Sequence, residues 1–200
     1  ALAAGKHVLL EKPPGGSLAD FRELQEMARA RNLALQLAYL FRFHPDQREL
    51  VRLVRAGAFG EIFYFRAHMS KHWAWHPRLE QDFHMFKGGV YFEMAGHYLD
   101  LMVALLGEPT AVRPHLAAHY GDRKNVDNAV VVHEYGRCFA TVDTAALHLN
   151  VDDTRRVEVY GTKGHAINMP YGEGTLELFL EESFEGYDAG STHHELEPAA

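Results

Sequence analysis

The chain has 200 residues, 47% of them apolar and 24% charged, and a formal net charge of −7. This composition excludes a disordered tail or a fibrous repeat, and the single cysteine, Cys138, excludes a disulfide scaffold. The acidic balance argues against a nucleic-acid partner, and no apolar run approaches the ~20 residues that span a bilayer, so neither nucleic acid nor membrane is an expected partner.

Taken in chain order, residues 1–4 read as the last turn of a helix with Gly5 as its left-handed terminator, which points to an internal piece of a longer protein. Residues 7–10 form a short apolar strand, and the Pro/Gly-rich stretch 11–16 is a loop. Ser17 caps a helix running to about Arg31, with Asp20 in a capping-box position and Leu18, Phe21, Leu24, Met27 and Ala28 on one face. A second strand over 33–39 completes a β-α-β opening, which favours parallel pairing. Pro45 opens a helix that ends at Gly57. A strand over 62–69 leads into an irregular stretch, 70–87. A single long helix is expected from Gly89 to Leu106, with a core stripe of Tyr91, Ala95, Leu99, Met102 and Leu106, stopped by Gly107 and Pro109. Strands then dominate, at about 110–119, 126–135, 138–148, 155–160, 164–169 and 175–180, with hairpin turns at 135–137 and 161–164. The fold class is therefore α+β: a β-α-β tail followed by an α+β unit with a largely antiparallel open sheet.

Three places bear on chemistry. Lys12 lies just past the carboxyl end of a strand in a parallel arrangement, the edge where open α/β sheets bind ligands. A cis bond at Pro13 would fix its direction. A surface lysine in a Pro/Gly turn is the alternative. Glu93, His97 and Asp100 stand at i, i+4 and i+7 and share one helix face. A carboxylate one turn from a histidine holds one tautomer and raises its basicity, as a general base requires, although a solvated pair would show the same spacing. The adjacent Gly88 and Gly89 let backbone or ligand come close at the helix start. His68, His72 and His76 are four apart and His84 follows, but His68 sits in a strand pattern and Pro77 interrupts the rest, so no metal site is expected. Trp73 and Trp75 could stack on a sugar ring or simply pack. The chain contains no Gly-x-Gly-x-x-Gly, P-loop or Gly-x-Ser-x-Gly motif.

Read together and in order, segments 4–13 (with Glu11-Lys12-Pro13), 38–45 and 88–100 resemble the glucose–fructose oxidoreductase/inositol dehydrogenase (GFO/IDH/MocA) family of NAD(P)-dependent oxidoreductases, and 157–164 also fits. The resemblance implies that residues 1–40 are the C-terminal remnant of a Rossmann-type dinucleotide-binding domain. Residues 41–200 would be most of a substrate-binding and oligomerisation domain. By the same resemblance, Lys12 would hydrogen-bond the reacting oxygen near the nicotinamide, and His97 would be the general acid/base. Glu93 would orient His97, standing where the family more often has Asp. Glu11, Lys12, Pro13 and Arg42 would face the cofactor, NAD or NADP. Tyr39 and Trp73 would join Lys12 and His97 around a sugar, cyclitol or related polyol, with Tyr39 and Arg42 lining the interdomain cleft. The dinucleotide fingerprint would lie upstream, so the chain alone is expected to hold NAD(H) poorly. Two alternatives stand beside this reading: a non-catalytic relative serving as an oligomerisation or binding module, and a His-metal protein. The strand over 138–148 carries little charge on either alternating set, so a homo-oligomer, dimer or tetramer, is expected through the open sheet, in a cytoplasmic protein.

Overall fold

The computed structural model describes residues 1–72, 88–119, 126–151, 154–169 and 174–196. A 3₁₀ turn at Leu2–Ala4 ends on Gly5 in the left-handed conformation, φ 71°. Strand β1 (Val8–Leu10) pairs in parallel with β2 (Leu35–Leu37), and helix α1 (Leu18–Ala30) connects them. The Ser17 hydroxyl accepts the N–H groups of Ala19 and Asp20 at 3.1 and 3.3 Å, satisfying donors that the first turn of α1 leaves orphaned. Both strands are half-buried, with Leu9 71% exposed, because α1 covers only one face of this two-stranded sheet.

Helix α2 (Pro45–Ala56) starts on proline and ends at Gly57. Strand β3 (Ile62–Ser70) follows. The remaining strands are β4 (Ala111–Ala117), β5 (Asn128–Glu134), β6 (Phe139–Ala145), β7 (Arg156–Gly161), β8 (Gly164–Asn168), β9 (Thr175–Leu180) and β10 (Gly190–Glu195). They form one sheet with β3, in the order β10-β9-β8-β7-β3-β6-β5-β4. Every neighbouring pair is antiparallel except β3 and β6. Strand β10 was not foreseen.

Alternation along each strand divides the sheet into two faces. Phe65, Ala67 and Met69 of β3, Ala140 and Val142 of β6, Val157 and Val159 of β7, and Leu176, Leu178 and Leu180 of β9 are buried beneath the helices. Leu50 and Leu53 of α2 belong to the same core. Each such leucine or phenylalanine removed from water contributes about 1.5–3 kcal/mol. A polar knot fixes α2 to the sheet: Asn168 Nδ2 donates to Asp46 Oδ2 at 2.7 Å and to the Thr175 carbonyl at 2.8 Å, and Gln47 donates to Asn168 Oδ1. On the other face an aromatic row crosses five strands in register: Phe139, Tyr64, Tyr160, His165 and Phe179. Ring centroids along it lie 5.4–6.0 Å apart from Tyr64 to Phe179. Phe139 and Phe179 are 53% and 41% exposed.

The long helix expected over 89–106 is two helices, α3 (Gly89–Met94) and α4 (Gly96–Leu106), broken at Ala95. On α4 the buried residues are His97, Tyr98, Leu101 and Met102; of the expected stripe, Ala95 and Met102 are buried, while Tyr91, Leu99 and Leu106 are partly buried against the same core. The start of α3 is set by Gly89, at φ 53°, whose neighbour Val90 donates its N–H to the Val126 carbonyl at 2.9 Å. A Cβ on Gly89 would meet that carbonyl oxygen at 2.2 Å. The close approach expected at this glycine pair is thus made at Gly89 by the chain's own backbone.

Gly89→Ala is expected to lower stability by about 2 kcal/mol or more, through both the left-handed φ and the Val126 contact. Gly57→Ala, at φ 84° with open space around the added methyl, should cost only about 1 kcal/mol. Urea denaturation of both variants checks this; equal losses would mean that the Val126 contact imposes no constraint.

Candidate active site

Lys12 and Glu93 meet at a cavity of about 210 Å³ whose apolar wall includes Pro13, Pro14, Tyr39, Phe92 and Leu99. The Lys12–Pro13 bond is cis. Lys12 Nζ donates to Glu93 Oε1 at 2.7 Å and to the Glu93 main-chain carbonyl at 2.9 Å. The second bond falls beside the interruption between the two helices. There the Ala95 N–H bonds to the Tyr91 carbonyl at 2.9 Å, and the Ala95 carbonyl accepts the N–H groups of Tyr98 and Leu99 at 3.0 and 2.8 Å. Glu93 stands one residue before the end of α3, and its carbonyl accepts from Lys12. Gly96, on the far side of the break, has no side chain to keep the Tyr39 ring away: a Cβ there would lie 3.2 Å from the ring edge.

The Glu93 carboxylate is shared. Lys71 Nζ donates to Oε1 at 3.1 Å and to Oε2 at 3.3 Å. Burial raises the Glu93 pKa, but the ammonium groups of Lys71 and Lys12 outweigh it, and the carboxyl is held below its ordinary value. The expected orienting contact from Glu93 to His97 is not made. The carboxylate oxygens face Lys12 and Lys71 instead.

His97 is held by rings rather than by an acid. Its imidazole stacks on Phe41 at a centroid distance of 4.5 Å and meets Tyr39 edge-on at 5.8 Å. It is 8% exposed, and its Nδ1 has no hydrogen-bond partner. Burial, followed by the charge of Lys12, pushes its pKa down to about 4, so it is neutral at neutral pH. His97 does not line the cavity around Lys12. Asp100 is taken up by Arg42, whose guanidinium grips both carboxylate oxygens, one of them at 2.7 Å. Arg42 borders a different concavity of about 740 Å³, together with Gln36, Arg48 and Arg55. Glu11 is exposed and lies outside the cavity wall. Trp73, Trp75, His76 and His84 lie outside the described residues. His68 pairs through Nδ1 with Asp143, and among the described residues no group of three metal-binding side chains converges.

Two contributors escaped the sequence reading. Phe41 sits in a run, Leu40-Phe41-Arg42-Phe43, whose short 3₁₀ turn gave no periodic signal. Lys71 follows β3 in a stretch read as irregular, and no local pattern links it to Glu93.

A family model described as the GFO/IDH/MocA C-terminal domain matches residues 47–167. An uncharacterised oxidoreductase of Schizosaccharomyces pombe is 26% identical over 204 aligned residues, covering 97% of this chain and 55% of the relative. A dTDP-3,4-didehydro-2,6-dideoxy-alpha-D-glucose 3-reductase of Streptomyces violaceoruber is 37% identical over 122 residues, covering 60% of this chain and 34% of the relative. The chain thus spans about half the length, or less, of the curated relatives it matches. Among solved structures, an inositol dehydrogenase homolog from Azotobacter vinelandii, complexed with NADH and myo-inositol, has a TM-score of 0.79 at 19% identity, covering 98% of this chain and 51% of that one. This likeness is one of fold. Among the described residues no helix is long and apolar enough to cross a membrane.

The depressed pKa of His97 gives a stability prediction with a defined sign. Unfolded, the imidazole takes up a proton near pH 6.5; folded, it does so only near pH 4. Its contribution is therefore fully present above pH 6.5 and lost as pH falls toward 4. His133, also depressed by burial, acts in the same direction. The urea midpoint of His97→Gln should fall less steeply than wild type over this window. Parallel curves would show that His97 is not held neutral.

Proposed function

The chain belongs to the GFO/IDH/MocA family, and on that premise we propose that the intact protein transfers hydride between NAD or NADP and a carbinol or carbonyl carbon of a sugar, cyclitol or related polyol. The observation that carries this reading is the Lys12 ammonium, held on the Glu93 carboxylate and carbonyl at the mouth of an apolar-walled cavity. The residues fit the nicotinamide end of such a cofactor: one ammonium beside the flat apolar surfaces of Pro13, Pro14 and Tyr39. The chain's sequence carries no glycine-rich loop of the kind that cradles a pyrophosphate, so the dinucleotide's phosphates would be held by other parts of the intact protein. When bound, the cofactor accepts or returns the hydride.

The chain's own residues handle the oxygen and its proton. Lys12 donates to the substrate oxygen and stabilises negative charge as it develops there. His97, neutral at neutral pH, takes the hydroxyl proton in the oxidative direction. The names of the sugar-nucleotide reductase and the inositol dehydrogenase homolog support a hydroxylated ring as substrate. A cytoplasmic location belongs to the same reading.

We also propose that a second copy covers the aromatic row of the open sheet face. A patch carrying half-exposed Phe139 and Phe179 on either side of stacked Tyr64, Tyr160 and His165 suits a self-complementary contact. Sedimentation of the intact protein at micromolar concentration should give a dimer or larger, and Phe139→Glu should shift it toward monomer. A strictly monomeric wild type counts against this assignment.

Turnover of a polyol panel with NAD⁺ or NADP⁺, followed by nicotinamide absorbance, tests the chemistry. Lys12→Met should lower kcat by about 10²-fold or more, and His97→Asn by about 10²–10⁴-fold. Near-normal turnover of His97→Asn would remove the acid/base assignment. No turnover of any polyol, with no cofactor bound, would favour the non-catalytic module.

A further inference from the structure

Lys71 is the first residue past β3, and hydride transfer by itself calls for no second ammonium beside Glu93. Its backbone is pinned through both its N–H and its carbonyl to the end of β6 and the chain just past it. Its N–H donates to the Ala145 carbonyl at 2.8 Å, and its carbonyl accepts the His148 N–H at 3.3 Å. From that anchorage Nζ reaches both oxygens of the Glu93 carboxylate, at 3.1 and 3.3 Å, while Lys12 holds Oε1 at 2.7 Å and the main-chain carbonyl at 2.9 Å. Two ammonium groups thus share one carboxylate, and the cluster keeps one net positive charge.

Resting on the hydride-transfer reading above, we propose that Lys71 is a positioning residue that fixes the Glu93 carboxylate, so that the Lys12 ammonium spends two N–H groups on Glu93 and keeps its third for the substrate oxygen. An ammonium has three donors and no acceptor, so the count is decisive. With Lys71 gone, the carboxylate is free to turn its second oxygen to Lys12. That would consume the third N–H and leave a neutral pair, which stabilises an alkoxide less than a net cation does. Among the described residues, the charged or titratable groups that act on Glu93 are Lys12 from the loop after β1, Lys71 from the end of β3 and the neutral His97 from α4. The two lysines hold the carboxyl ionised against its burial.

The test uses the intact protein with Lys71→Met, Lys71→Arg and Lys12→Met. Lys71→Met should lower kcat about tenfold with KM little changed, since the interaction lost acts on the transition state. The acid limb of the pH–rate profile should move to higher pH, because a carboxylate that loses a cation protonates more readily. A ¹³C titration of the Glu93 carboxyl should move in the same direction, and this readout needs no turnover. Lys71→Arg should restore all three quantities toward wild type. Unchanged kcat in Lys71→Met overturns the proposal, as does a loss with an unmoved limb and no rescue by arginine. If Lys71→Met melts early, Lys71→Gln, which keeps the hydrogen bond without the charge, carries the same comparison. Normal turnover by Lys12→Met would instead overturn the hydride-transfer reading itself; an impaired Lys12→Met beside a normal Lys71→Met overturns the Lys71 role alone.

Discussion

The site depends on the Lys12 ammonium being held at two points on one residue, Glu93. It donates to the carboxylate at 2.7 Å and to the main-chain carbonyl, beside the interruption between α3 and α4, at 2.9 Å. Two contacts from a single residue fix a direction, which one exposed ion pair rarely does. His97, on the far side of the interruption, sits in the aromatic clamp of Phe41 and Tyr39.

Electrostatics follow from this geometry. Glu93 is half-buried, and a carboxylate withdrawn from water is tolerated best when it is paired. Here it is doubly paired, and the surplus charge is positive. His97, a few residues on, experiences that surplus together with burial and stays uncharged. A cation and a neutral imidazole thus stand in one neighbourhood. This arrangement arises here from a carboxylate that serves the lysine rather than the histidine.

Much of this architecture is written locally. Ser17 as a cap, Pro45 and Gly57 as the ends of α2, and the turns at 135–137 and 161–164 each follow from the conformational preference of one or two residues. Lys12 was legible because a β-α-β opening names the edge where ligands gather. The break at Ala95 was not, since Gly96 sits within an apolar periodicity that continues across it, and only the approach of the Tyr39 ring gives that glycine its meaning. Lys71 was hidden for a different reason: its place is set by the register of β3 against β6, and no sequence spacing encodes that register. Strand β10, Gly-Ser-Thr-His-His-Glu, lacks the apolar alternation that marks a strand and exists because the edge of β9 offers it a partner.

The position of β3 has a consequence for how the chain reaches this state. Strands β4, β5 and β6 form one meander of sequence neighbours, and β7 to β10 form another. Each can zip up from its own turns on a microsecond scale. Neither contains β3, yet among the described residues β3 is the strand that joins them, parallel to β6 at a sequence separation of 75 residues for His68 and Asp143. Closing that loop costs chain entropy before any contact repays it. Assembly is therefore expected to wait on the docking of β3 between two preformed halves, and Lys71, riding at its end, reaches Glu93 only when that last strand is in place.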